Sequence, residues 1–304
     1  MKLKTTLFWL TPLMLFANNP VSIDAIHLGN SVYYLRTNSP LGNPSVVALI
    51  LPEETFLADA SFETASVALK AKIKELGGGP IRWVTGTHHH GDHTEGFESL
   101  DTRALIMTPH TQRERLRTGS IYHGKRPLSE EALPRMTFQK EVFLYFPNEV
   151  VELFTPQRTD GHTDGDVFVY FRTAKVLYMG DHFFLNRYPI VDLNSGGSID
   201  GYFQNIENIL KTYDSDTKFI PGHGSFAPDP VVVPSHSDLS RYLKELKASV
   251  VFIRKQLRAG VAAEQIMEQG LPERFSPFSQ KPRYVSPDNW IQTIMKDFTL
   301  HQAN

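Results

Sequence analysis

A layered α/β domain is the fold class this sequence predicts, and three observations carry it. Short apolar runs alternate with segments of helical spacing along most of the chain. The runs are divided by turn residues, and neighbouring runs look like antiparallel hairpins. The 304 residues, 41% of them hydrophobic, suffice for a large buried core and argue against disorder.

Taken in order, the first element is a targeting segment. Lys2 and Lys4 precede an apolar stretch from Thr5 to Phe16, and Ala17 offers a small residue for cleavage, although Leu15 fits poorly two positions earlier. Residues 1–17 are therefore expected to be a signal peptide, which places the protein in the periplasm or outside the cell. The stretch is too short to span a bilayer, so no membrane segment is expected in the mature form. Residues 21–60 read as β structure, with the runs Val32-Tyr33-Tyr34-Leu35, Val46 to Leu51 and Phe56-Leu57-Ala58 broken at Ser39-Pro40 and Gly42-Asn43-Pro44. Residues 62–76 have helical spacing and stop at Gly77-Gly78-Gly79-Pro80. A strand over 81–86 follows, then a helical stretch, a strand over 104–107 and a helix from about Pro109.

Residues 118–137 are polar, basic and proline-punctuated, as expected of an insertion or lid. Strand patterns resume over 138–155 and 166–180. Ile199 to Tyr213 is an amphipathic helix, Lys218-Phe219-Ile220 a short strand, and 235–258, 261–269 and 286–299 are helices. No Gly- or Ser-rich linker divides the chain, so residues 18–304 are read as a single domain.

Composition removes several classes of function. Lys plus Arg is 31 against 33 Asp plus Glu, a net charge of −2, which gives no electrostatic case for nucleic acid. With no cysteine, disulfides, thiolate nucleophiles and thiolate metal ligands are excluded, and any metal site must use nitrogen and oxygen.

The chemistry is concentrated in Thr87-His88-His89-His90-Gly91-Asp92-His93. Imidazole and carboxylate suit zinc and related divalent ions. Alternate side chains of an extended segment point the same way, so His88 and His90 can share one metal. Asp92 and His93, past the flexible Gly91, can reach a second. Two metals side by side form a hydrolase arrangement. Three later turns each follow a strand and carry a further donor: His162 in Gly161-His162-Thr163, Asp181 after Gly180, and His223 in Pro221-Gly222-His223-Gly224. Glycines there let the backbone turn sharply, and strand ends hold ligands accurately.

The order H-x-H-x-D-H, then G-H-T, G-D and P-G-H-G, resembles that of the metallo-β-lactamase superfamily over residues of about 45 to 225. The resemblance implies a four-layer αββα sandwich with its site at one edge between the sheets. It implies a first zinc on His88, His90 and His162, a second on Asp92, His93 and His223, and Asp181 bridging both. Asp92 would also orient the attacking water, and Asp59 is a candidate to fix a ligand from outside. His89 and His182 adjoin ligands but are spaced to face away. Asp164 and Asp166 are read as orienting the loop around His162.

Substrate class is less legible. In Asp192-Leu193-Asn194-Ser195-Gly196-Gly197-Ser198, Asn194 reads either as a group that polarises a substrate oxygen or as a turn residue. β-Lactamases of the most similar subclass carry cysteine where this chain has Asp181, and lysine where it has Phe184; Arg187 is the candidate replacement cation. Asp181 instead resembles hydrolases of thioesters, lactones and other esters. The expectation is a dinuclear zinc hydrolase that attacks a small carbonyl substrate with metal-activated water. The alternatives are a β-lactam-hydrolysing enzyme and an iron-dependent oxidoreductase of the same superfamily.

Overall fold

The computed structural model describes residues 21–119, 127–225, 229–278 and 285–302. The expected signal peptide and the centre of the 118–137 insertion lie outside them. Among the described residues no helix is long and apolar enough to cross a membrane.

Two sheets form the middle of the molecule. The first contains β1 (Ser22–Gly29), β2 (Val32–Asn38), β3 (Ser45–Ile50), β4 (Thr55–Ala58), β5 (Ile81–Thr85), β6 (Leu105–Pro109) and β7 (Met136–Phe138), in chain order across the sheet. Its pairings are antiparallel through β4 and parallel from there on. The parallel step follows from α1 (Ser66–Glu75), which returns the chain to the starting end of the sheet. The second sheet runs β12 (Lys218–Ile220), β11 (Val176–Tyr178), β10 (Phe168–Phe171), β9 (Glu149–Phe154), β8 (Glu141–Phe146). Only its β11–β12 pair is parallel, because α4 (Ile199–Thr212) makes the crossover.

The side-chain alternation of β3 shows how the layers are built. Val47 and Leu49 enter a core shared with Val151, Leu153, Val169, Phe171 and Tyr178 of the second sheet. Val46, Ala48 and Ile50 point the other way, onto Leu69 and Ile73 of α1 and Leu116 of α3 (His110–Thr118). A strand covered on both faces reads as a continuous apolar run, which is what residues 46–51 are. On the far side, Phe168, Leu177 and Phe219 pack against α4, α5 (His236–Arg258), α6 (Ala263–Gln269) and α7 (Pro287–Gln302). The result is two sheets flanked by helices, the expected αββα order.

Close contacts at the ends of β3, β5, β10 and β12 join the two sheets where the site lies. Ser45 N–H donates to Gly222 O at 2.8 Å, and Val167 N–H to Thr87 O at 2.7 Å. Gly222 is required there: a Cβ on it would sit 2.0 Å from Asp181 Oδ1 and 2.6 Å from the Gly180 carbonyl carbon.

Candidate metal centre

The histidine run begins two residues after β5 and ends in a short helical turn, α2 (Gly91–Thr94). His90 is still extended, with φ −66° and ψ 147°. The bend over residues 87–89 leaves His88 and His90 on one side, with ring centroids 4.6 Å apart. The sequence reading credited the change of direction to a flexible Gly91. The structure instead makes Gly91 the first residue of α2, and helical geometry swings Asp92 and His93 away from the first pair.

Side chains from four segments converge here. His88, His90, His162 and Asp181 each offer a donor atom within 4.8 Å of the others, and so do Asp92, His93 and His223. Asp181 lies between these groups. Its Oδ2 is 3.7 Å from both His88 Nε2 and His162 Nε2, while Oδ1 is 3.3 Å from His93 Nε2 and 3.5 Å from His223 Nε2. All are buried except Asp92, whose side chain is 17% exposed and whose Oδ2 lies 3.2 Å from His223 Nε2.

Hydrogen bonds on the outer edge set the tautomers of four of these rings. Thr87 Oγ1 accepts from His88 Nδ1 at 3.1 Å and donates to Asp59 Oδ2 at 2.8 Å. His93 Nδ1 donates to the same Asp59 oxygen at 2.6 Å. His162 Nδ1 donates to Ile190 O at 2.8 Å. His90 is reversed: its Nε2 donates to Asp192 Oδ2 at 3.0 Å, leaving Nδ1 to face His162 Nε2 at 3.1 Å. His88, His90 and His162 thus each turn an unprotonated nitrogen inward. Two such nitrogens 3.1 Å apart repel unless a cation lies among them, and buried His88 Nε2 has no hydrogen-bond partner. A donor set of neutral imidazoles and carboxylates, held this way, fits a divalent metal.

Charge at the site follows burial and the carboxylates. Burial pushes the pKa of His88 well below the ordinary histidine value, with His93 and His162 adding to the effect. Burial likewise lowers His90 and His162. It also opposes a proton on His93, yet Asp59, Asp181 and Asp92 outweigh it and raise that group well above its usual value. Burial would raise Asp181, but His223, His93 and His88 hold it ionised.

Over residues 40–253 the chain matches the profile of the metallo-beta-lactamase superfamily. It is a member of that superfamily. Similar solved structures include the DIM-1 metallo-beta-lactamase, with a TM-score of 0.58 and 20% identity over 74% of this chain and 97% of that one. A metallo-beta-lactamase from Pontibacter korlensis gives 0.58 and 17% over 73% and 98%. TMB-1 gives 0.56 and 20% over 72% and 94%. These likenesses establish the metallo-beta-lactamase fold. No curated protein matches the chain.

For this superfamily member, the structure brings His88, His90, Asp92, His93, His162, Asp181 and His223 together and leaves others outside. Arg187, the candidate substrate cation, is a correction. It is 4% exposed and donates to Asn43 Oδ1 at 3.3 Å and to Gly224 O, so it fixes the His223 turn instead of facing a substrate. Phe184 is fully buried and stacks on His223, with centroids 5.3 Å apart. Asn194 is exposed and its Oδ1 accepts from Lys296 at 2.8 Å.

His182 stacks on Tyr202 at 5.2 Å and lies off the metal groups, as its spacing suggested. His89 falls in a further group with His90 and Asp192. That group reads as a hydrogen-bonded support, because His90 Nε2 already donates to Asp192, whose other oxygen accepts from Asn194 N–H and Ser195 N–H. Asp166 accepts from Thr163 N–H and Thr163 Oγ1, bracing the His162 turn, whereas Asp164 pairs with Arg115 at 2.5 Å.

Asp59 does take the supporting role suggested for it. It is fully buried one residue past β4 with φ +68°, and also accepts from Thr87 N–H at 2.6 Å and Tyr178 OH at 2.5 Å. Sequence reasoning missed Asp192 as the partner of His90. Its one local sign is an Asx turn closing on Asn194 and Ser195, a feature common in loops without any site.

Proposed function

We propose that the protein is a dinuclear zinc hydrolase of small carbonyl substrates, with esters, lactones or thioesters ahead of β-lactams. The observation that carries this reading is the position of Asp181, with one oxygen toward His88 and His162 and the other toward His93 and His223. His88, His90 and His162 would hold one ion and Asp92, His93 and His223 the other. Two bound zinc ions would supply an activated water and polarise the substrate carbonyl.

The chain's own groups have separable tasks. Asp92 is the ligand that reaches solvent, so its carboxylate is placed to accept a proton from the attacking water and orient it. Phe184 is buried behind His223, so the position that carries a lysine in the resembling β-lactamases supplies no cation to select a carboxylate-bearing drug. That favours neutral esters and lactones. The superfamily's nitrogen and oxygen donors suit zinc, and export through residues 1–17 belongs to the same reading.

Purified zinc-loaded protein assayed on matched esters, lactones, thioesters and nitrocefin tests the ranking. Higher kcat/KM on nitrocefin than on every ester and lactone would reverse it. Asp92→Ala is expected to abolish hydrolysis while circular dichroism stays close to that of the unaltered protein. Undiminished turnover in that variant removes the role given to Asp92.

A further inference from the structure

The last helix, α7, lies beyond residue 253, where the superfamily match ends. Its buried face is Trp290, Ile291, Ile294 and Asp297, a spacing that forms one stripe along a helix. Three of its residues meet one strap of chain, residues 188–199. Trp290 stacks on Tyr188 with centroids 5.9 Å apart and is itself anchored by its Nε1 to Ser249 Oγ at 2.9 Å. Lys296 Nζ donates to Asn194 Oδ1 at 2.8 Å. Asp297 is fully buried; its Oδ1 accepts from Ile199 N–H at 3.0 Å and its Oδ2 from Arg254 at 2.7 Å.

That strap is also what holds part of the metal centre. Ile190 O accepts from His162 Nδ1, Asp192 Oδ2 accepts from His90 Nε2, and Asp192 N–H donates to His162 O at 2.9 Å. The strap closes on itself through Gly197 N–H to Asp192 O at 2.9 Å, so a force at Ile199 reaches Asp192 in a few bonds. His93 is held from the opposite side of the site, by Asp59.

We infer that α7 is a positioning element for one of the two metals: Trp290, Lys296 and Asp297 fix the 188–199 strap, and the strap sets His90 and His162. This rests on the metal-binding reading above. Metal affinity then depends on a helix outside the part of the chain that defines the superfamily. The dependence is one-sided, because the Asp92, His93 and His223 group does not lean on the strap through any of these bonds.

Zinc titration of the full-length protein against a chromophoric chelator tests it, with His90→Ala and His223→Ala identifying which binding step belongs to which group. Asp297→Ala is expected to weaken the His90 step by about 10- to 100-fold, the usual cost of losing an outer support. The His223 step should stay within about twofold. Asp297→Asn keeps an acceptor for Ile199 N–H and should give a smaller loss. Lys296→Ala, at an exposed position that leaves folding intact, should shift the same step by a few-fold. Equal weakening of both steps, or a fall in melting temperature with neither step changed, would make α7 merely structural and overturn the inference. A wild-type protein that binds no zinc would overturn the metal reading itself, and that result is visible before any variant is compared.

Discussion

The two sides of the metal centre are supported by different physics. On one side Asp59, a single buried carboxylate, accepts from Thr87 N–H, Thr87 Oγ1, His93 Nδ1 and Tyr178 OH. Its position one residue past β4 makes that support as rigid as the sheet, and its φ of +68° is strain that this network holds in place. On the other side His90 and His162 lean on a loop strap, residues 188–199, braced by a helix from the far end of the chain. The first support is compact and charged; the second is distributed and mostly made of backbone. A ligand set whose first four donors fall within residues 88–93 is thus held by parts with little in common, and under the two-zinc proposal the two metals should respond to different mutations.

Removing what the sides share should have the largest effect. Asp181→Ala is expected to lose both zinc-binding steps and bring turnover below detection, a deeper loss than the ~100-fold ceiling for outer supports. A variant that keeps one step intact would show that Asp181 serves one metal alone. Asp59→Ala comes next. It leaves four buried donors without their acceptor, and at ~1–3 kcal/mol for each unsatisfied group it should threaten folding itself. Asp59→Asn is the informative partner, since Asn tolerates positive φ and keeps the shape. It should fold and weaken the His223 step by about 10- to 100-fold in the same chelator titration, with a smaller loss at the His90 step through Thr87 and His88. Asp192→Asn should weaken the His90 step to a similar degree and spare the other. If Asp59→Asn and Asp192→Asn weakened both steps equally, the two supports would not be independent.

The same contrast explains how much could be read from the sequence. Strand and helix order was legible because β3 and its neighbours carry long apolar runs and α4 and α5 carry helical spacing. The seven donors were legible because they fall in short glycine-bearing turns whose order resembles that of the superfamily, and Asp59 through the same resemblance. The strap and α7 were not. His90 to Asp192 and Asn194 to Lys296 each span 102 residues, and Ile199 to Asp297 spans 98. No local pattern encodes which loop a distant helix will brace. Arg187 was misassigned for a related reason: a cation near a ligand turn looks the same in sequence whether it faces substrate or, as here, Asn43 and Gly224 O.

Asn194 gives the smallest expected effect and the sharpest choice between two readings left open by its turn. A group that polarises a substrate oxygen is worth about 10²- to 10³-fold in kcat when removed. A solvent-exposed turn residue is worth within about 0.5 kcal/mol, or roughly twofold. The structure favours the second, because the side chain is exposed and its Oδ1 is engaged by Lys296, tying the loop to α7. Asn194→Ala should therefore change kcat by no more than about twofold on the best substrate. It should instead slightly loosen the His90 zinc step, in the direction expected for Lys296→Ala. A hundredfold fall in kcat with zinc affinity unchanged would place Asn194 at the substrate and remove it from the strap's bracing.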